Sequence, residues 1–317
     1  MIKRKILELY WALKDYNELH DSQINSDFAE DRIAANIIRL THSIEKGLSI
    51  ENPRIGFGIS KISSILDYSE QYLKLPDPNL TCIQIASDAL FQYFVFHDRK
   101  DFKSKEYLNL KKRYSDILAQ YTSDGSINGG VKLLSLSELD YDIETIKTFF
   151  YTRHSIRQFA NKKLQVDDIR KAVMLAQRAP SACNRQAVRV YLVPAKKYVE
   201  DTNSDLEGIG GFTDDVEYFL IITGKLSAYD EFEYKQFVVS AGVFAGYLTL
   251  ALHAYKIGAC VIQRSIRKND KWDAFRIKNK ISKDEQIVLM IGIGSMKEET
   301  LVPVSKRYDV DEIFKVL

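Results

Sequence analysis

Three short apolar runs, all in the second half of the chain, constrain the fold most: VRVYLVP (188–194), EYFLIITG (217–224) and QIVLMIGIG (286–294). Each is seven to nine residues of mostly branched or aromatic side chains bounded by turn formers, the pattern of a strand buried on both faces. Helical periodicity precedes the first run, over 165–179, and lies between the second and third, over 233–256. Strands spaced by helices require one central sheet with helices laid on it, so the class is α+β or α/β. The longer helix carries Ala241, Gly242, Ala245 and Gly246, small residues that let another backbone approach closely.

Residues 1 to about 121 have a different texture. Ser26 and Asp27 can cap a helix with Phe28, Ile33, Ile37, Ile38 and Ile44 at three- and four-residue spacing, and Gly47 is a plausible stop. Further helical patterns cover 59–74, 80–97 and 102–121. TSDGSINGG (122–130) then collects three glycines among polar residues and reads as the boundary. The expected organisation is a helical N-terminal region over 1–130 and a second domain over 131–317.

With 317 residues, a net charge of +2 and 45% hydrophobic residues, the chain gives no electrostatic case for nucleic acid. The start, MIKRKILELYWALKDY, is interrupted by Glu8, Lys14 and Asp15, which favours an amphipathic helix over a signal peptide. No run of about 18 apolar residues appears, so no membrane span is expected. Cys82, Cys183 and Cys260 are widely spaced without a CxxC, which points away from a disulfide framework or a zinc site and toward a reducing cytoplasmic compartment.

Chemistry-bearing residues fall in three segments. RHSIRQF (153–159) places Arg153, His154, Ser155 and Arg157 within five residues. Guanidinium forks match phosphate oxygens, and a hydroxyl adds a donor. Alone the cluster reads equally as a solvated basic turn. APSACNRQ (179–186) ends a helix at Pro180 and offers Ser181, Asn184 and Gln186 before a strand. Alone it also reads as an ordinary helix-to-strand loop. The third comprises GACVIQR (258–264), the strand end Gly292–Gly294, and SKR (305–307). The GIG lacks the rest of a dinucleotide fingerprint.

Taken together these segments resemble the nitroreductase family. An R-[RH]-S-x-[RK]-x-F opening is matched by Arg153, His154, Ser155, Arg157 and Phe159; a P-S-x-x-N-x-Q loop by Pro180, Ser181, Asn184 and Gln186. A Leu/Ile-Gly turn after a long helix is matched by Ile257 and Gly258, and a late arginine by Arg307. The resemblance covers about residues 145–317.

It implies an α+β fold, a three-layer α/β/α domain with a mostly antiparallel central sheet, preceded here by the helical region. It also implies a homodimer with FMN at its interface and NAD(P)H as electron donor. Hydride would pass through flavin N5 to a small organic acceptor (a nitro compound, a quinone or another metabolite) in a ping-pong cycle, with the chemistry carried by the flavin and no catalytic side chain. On the same resemblance, Arg153, His154, Ser155, Arg157, Arg307 and Lys306 look like ligands of the phosphate, ribityl chain and pyrimidine edge. Pro180, Ser181, Asn184 and Gln186 resemble the loop that the partner lays on the ring. Ile262, Gln263 and Arg264 resemble the segment facing N5. A same-fold dehydrogenase, dehalogenase or flavin-destroying enzyme, and a binding protein without catalysis, are the alternatives.

Two departures stand out. The family's Gln-Pro-Trp is here Gln186, Ala187, Val188, so packing behind the loop must differ. The N-terminal turn THSIEKGLSIENPRIGFG (41–58) gathers His42, Glu45, Lys46 and Arg54 beside glycines. It reads either as a structural turn with a solvated charge pair or as a ligand-facing lid over the flavin.

Overall fold

A computed structural model of the protein describes residues 2–124, 128–202, 211–212, 215–262 and 271–317. The N-terminal region contains α1 (Ile2–Ile24), α2 (Ala29–Leu48), α3 (Ile59–Tyr72), α4 (Thr81–Arg99) and α5 (Lys105–Ile117). Helix α2 buries Ile37, Ile38, Thr41 and Ile44, the three- and four-residue spacing of one helical face. Its entry differs from expectation by one position. Asn25, not Ser26, caps the chain, accepting from Asp27 N at 2.9 Å, because Ser26–Phe28 is already a 3-10 turn. Gly47 is not the stop either; the helix ends at Leu48. A Cβ on Gly47 would lie 2.1 Å from the Phe57 ring, so its smallness seats that ring.

The helices α2 to α5 share a core of their own, centred on Ile37, Ile44, Ile65, Leu66, Leu90 and Tyr93. At its centre His97, with no exposed surface, is surrounded by the rings of Tyr93, Phe57, Phe102 and Tyr107. Its Nδ1 lies 2.9 Å from Tyr93 O and its Nε2 accepts from Gly56 N at 3.0 Å, which fixes the neutral tautomer with the proton on Nδ1. Of the segment 41–58, expected as a turn, His42, Glu45 and Lys46 still lie on α2, and only Arg54 belongs to the turn that follows. Glu45 accepts from His42 at 2.9 Å and from Gly130 N at 3.0 Å. The backbone amides of Ser123 and Asn128 both donate to Asp88, so the glycine-rich boundary is tied back onto α4.

Then follow α6 (Ile143–Thr152), α7 (Val166–Ala176), β1 (Val188–Pro194), α8 (Ala195–Thr202), β2 (Tyr218–Lys225), α9 (Gln236–Ala254), β3 (Ile257–Ile262), α10 (Lys271–Lys278), β4 (Glu285–Ser295) and α11 (Val310–Ile313). The strands form one sheet in the order β1-β2-β4-β3, every neighbouring pair antiparallel. Both faces are covered, which is why the strands read as continuous apolar runs. On β2, Leu220 and Ile222 face α7 and α9, while Phe219 and Ile221 face the side of α8 and α10, the period-two alternation of a strand between two layers. The domain is therefore three-layered, as the resemblance implied.

Strand β3 is an addition to the sequence reading, which has only a turn there. Its small residues lower strand propensity, but pairing along β4 from Ile257↔Ser295 to Ile262↔Met290 overrides it. Helix α9 also departs from expectation. It is long and apolar enough to cross a bilayer by composition, yet Phe237, Ala241, Ala245, Leu248 and Leu252 pack it on the sheet.

The N-terminal region is docked on this domain. Leu19 and Ala35 join a core with Ala187, Leu226, Tyr229 and Phe237. Ion pairs Lys225–Asp31, Lys235–Asp15 (2.7 Å) and Lys14–Asp273 (3.2 Å) cross the same junction.

Candidate active site

The RHSIRQF segment is placed by the sheet edge. Helix α6 ends at Thr152, Arg153 turns to extended backbone, and the chain runs beside β3 and β4. Ile156 N donates to Ala259 O at 2.9 Å and Ala160 N to Ser295 O at 2.8 Å, while Phe159 bridges Met296. Ile156 and Phe159 point into the core. The glycines of β3 and β4 make room for them: a Cβ on Gly294 would meet Phe159 Cγ at 2.6 Å, and one on Gly258 would meet Ile156 and Phe159 at 3.0 Å. The second glycine of the GIG, Gly294, therefore serves ring packing.

With Ile156 and Phe159 turned inward, Arg153, His154, Ser155 and Arg157 line a cavity of about 400 Å³. Its other wall is the returning C-terminal segment, Pro303, Val304, Ser305 and Arg307. Three guanidinium groups and two further polar side chains thus converge from segments remote in sequence. Among the described residues no carboxylate lines the cavity, and none of the three arginines has a carboxylate partner. The uncompensated charge is felt nearby. His253 on α9, 3.0 Å from Thr152 Oγ1, is held below the usual histidine range by its burial, then by the charges of Arg153 and His154. Such a site suits a multiply charged anion, a phosphate monoester above all.

The second motif lies elsewhere. Pro180, Ser181 and Gln186 line a different cavity of about 520 Å³, with α7, β1 and α9 behind it. Cys183, Asn184 and Gln186 all adopt positive φ (51°, 56° and 51°), an unusual density of left-handed backbone for non-glycine residues. What holds them is Arg185. It is buried, donates from Nε to Ala182 O (3.0 Å) and from Nη1 to Ala228 O (2.9 Å), and forks onto the Glu233 carboxylate. Its guanidinium also lies 4.6 Å from the Tyr229 ring centroid. Ser181 Oγ accepts from Gln186 N at 3.1 Å, closing the loop on itself. Behind the loop, Ala187 is packed against Leu19 of α1, so the N-terminal helices stand behind the place where the family has Pro-Trp.

The expected residues are thus placed as follows. Arg153, His154, Ser155, Arg157 and Arg307 come together; Pro180, Ser181 and Gln186 form a second group. Asn184 lies in that loop but lines neither cavity. Lys306 is exposed beside Arg307 and lines neither. Ile262 is buried at the end of β3, and Gln263 and Arg264 lie outside the described residues. Phe150, Tyr151, Pro303 and Val304 were missed; the first two immediately precede the basic motif, which is the only signal that marks them. Asn79 and Thr81, from the N-terminal region, also line the second cavity and carried no signal at all. None of His42, Glu45, Lys46 or Arg54 lines either cavity.

The model of the Nitroreductase family matches residues 151–208, the stretch that carries both motifs. Over that stretch the sequence is similar to the nitroreductase family, in line with the two motifs. No curated protein matches the sequence. Among solved structures, the chain is similar to a nitroreductase family protein from Streptococcus pneumoniae TIGR4, with 21% identity, 54% of this chain and 100% of that chain covered, and a TM-score of 0.45. It is also similar to a nitroreductase-like protein from Streptococcus mutans, at 19% identity, 56% and 100% coverage and a TM-score of 0.47. An FMN-dependent nitroreductase from Clostridium difficile R20291 gives 20% identity, 52% and 92% coverage and a TM-score of 0.41.

Proposed function

We propose that the protein is an FMN-dependent oxidoreductase that uses NAD(P)H to reduce a small organic acceptor. One observation carries the reading: Arg153, Arg157 and Arg307, with Ser155 and His154, surround a single cavity free of carboxylates among the described residues. Arg153 is half-buried and Arg157 and Arg307 are exposed, but three like charges around one cavity repel one another, and an anion bound among them relieves that repulsion. The phosphate of FMN fits this donor set, with Arg153, Arg157 and Arg307 supplying charge-assisted hydrogen bonds and Ser155 a hydroxyl. When bound, the flavin supplies the hydride chemistry, and the chain binds and orients it.

The working unit in this reading is a homodimer. In one chain the arginine cavity and the Pro180–Gln186 loop are separate, and a cofactor contacting both needs a second copy. The surface supports this. Val239, Val243 and Tyr247 leave an exposed apolar stripe on α9, where Gly242 and Gly246 have no atom near their Cβ positions. Leu301, Val304, Tyr308 and Ile313 of the C-terminal segment are exposed as well. Three free cysteines fit a reducing, cytoplasmic setting.

The test is direct. The purified protein should be yellow, release FMN on denaturation, oxidise NAD(P)H, and scatter light as a dimer. A colourless protein that does not take up added FMN removes the reading. A monomer with full FMN occupancy removes the dimer alone.

A further inference from the structure

The cavity under the Pro180–Gln186 loop is built from both halves of the chain. Its floor is apolar, with Val188 and Val190 of β1 and Phe244 of α9. One wall is the turn between α3 and α4, where Asn79 and Thr81 line the cavity. That turn reads Leu75-Pro76-Asp77-Pro78-Asn79, with Asp77 at φ 58°. Two prolines in four residues fix it, so the wall is set in advance. Asn79 Oδ1 accepts from Thr81 N at 3.0 Å, which aims the Asn79 amide NH₂ away from its own backbone.

One cation reaches the rim of the cavity: Arg189 leaves β1 on the Tyr191 face, opposite Val188 and Val190, and folds back round the exposed sheet edge. Arg189 Nη1 donates to Gln186 O (3.0 Å) and Val188 O (2.9 Å), which pins the guanidinium beside the loop. Its Nε and Nη2 donors have no partner among the described residues, and no carboxylate lies within ion-pair distance there. Among the described residues the lining offers no other charge of either sign. An apolar floor, one guanidinium at the rim with free donors and a polar wall describe a receptor for a ring bearing a carboxylate.

We infer that this cavity binds the electron acceptor as an aromatic carboxylate: its ring lies on Phe244 and the β1 valines, its carboxylate pairs with Arg189, and Asn79 and Thr81 of the N-terminal region limit its size. The inference rests on the flavin reading, since the acceptor must sit beside the ring that the loop faces. It gives the N-terminal region a part in specificity through the α3–α4 turn and not through the turn around His42.

The probe is 4-nitrobenzoate, compared with the neutral isostere 4-nitrobenzamide. In either case NAD(P)H gives up a hydride, one proton is taken up, the nitro group becomes a nitroso group, and one of its oxygens leaves as water. The intact protein should prefer the carboxylate in kcat/KM by about tenfold, the scale of one charge-assisted hydrogen bond. Arg189→Gln should bring the ratio toward one, mainly through KM. Asn79→Ala with Thr81→Val should raise kcat/KM for the larger 6-nitro-2-naphthoate relative to 4-nitrobenzoate. A ratio of one in the intact protein, or a ratio that survives Arg189→Gln, overturns the inference; so does a size selectivity that ignores the double variant. If the protein holds no FMN, the flavin reading fails by itself and calorimetry with 4-nitrobenzoate judges the cavity. Binding that is lost in Arg189→Gln upholds the site, and absence of binding to the intact protein overturns it.

Discussion

Arg185 and Glu233 form a fork that ties the Pro180–Gln186 loop to the 3-10 turn just before α9, Nη1 meeting Oε2 at 2.6 Å while the second pair closes alongside. Burial pushes the arginine toward losing its charge, but its bonds to Glu233 outweigh this and hold it charged; the same bonds hold the Glu233 carboxyl below its usual range. Three left-handed residues in the loop need such an external hold, since each costs of order 1 kcal/mol in isolation.

Breaking this pair from the glutamate side should cost more than removing the arginine. Glu233→Ala leaves a buried cation unpaired and is expected to destabilise by about 2–3 kcal/mol, whereas Arg185→Met keeps the stem packed on Tyr229 and removes the charge with it. Urea melts of both variants decide the order. Equal losses would mean that packing, not charge, holds the loop. Because the native Glu233 pKa is depressed, its contribution is complete above the ordinary glutamate range and is lost as pH falls below that range.

The phosphate assignment is checked on charge. Arg153→Ala and Arg307→Ala should each weaken FMN binding by about 1.5–3 kcal/mol, and Lys at either position should restore only part, because an ammonium cannot fork. Fluorescence titration of the flavin-free protein measures this. Unchanged affinity in both Ala variants places the phosphate elsewhere.

Gly294, next to last in β4, should be intolerant of any side chain. An Ala there brings Cβ to 2.6 Å from Phe159, and the ring must move, which costs about 1–3 kcal/mol. Phe159 anchors the segment that presents Arg153 and Arg157, so Gly294→Ala should also weaken FMN binding. Combining it with Phe159→Leu should recover part of the stability. Thermal melts that show independent, additive losses would disconnect the two residues.

His97 should make the helical region acid-sensitive. Burial holds its native pKa below the free value of 6.5, with the bond to Tyr93 O opposing. The unfolded chain therefore binds the proton more readily, so this contribution is full above about pH 6.5 and falls as pH drops below it, toward the native value. Hydrogen exchange of the α3–α5 amides at pH 7.5 and 5.5 should show protection lost in the intact protein. His97→Gln should begin less stable and show a smaller pH dependence. Equal dependence in both proteins assigns the acid response to another group.

Periodicity was enough to find α1 to α5, α7, α9 and three of the strands, but not the short helices α6, α8, α10 and α11. Apolar spacing of 3.6 or 2 reports which face is buried, whatever it is buried against. The two motifs were equally legible, because Arg153, Ser155 and Arg157 alternate with Ile156 and Phe159 within a few residues of one another. Local sequence also carried the turn chemistry at Pro180. What it did not carry was anything that depends on a distant neighbour. Strand β3 exists because β4 pairs with it, against the preference of Gly258 and Ala259. Gly47 and Gly294 look like a helix stop and a nucleotide fingerprint, and only Phe57 and Phe159 explain them. Arg185 is indistinguishable from any loop arginine until Glu233 and Tyr229 close around it. Asn79 and Thr81 reach the second cavity only because α1 and the start of α2 dock behind Ala187 and carry the bundle onto the domain. Hydrophobic spacing is a property of a segment, whereas a cavity wall, a buried ion pair and a ring seated on a glycine belong to pairs of segments, and the tertiary structure alone decides which segments meet.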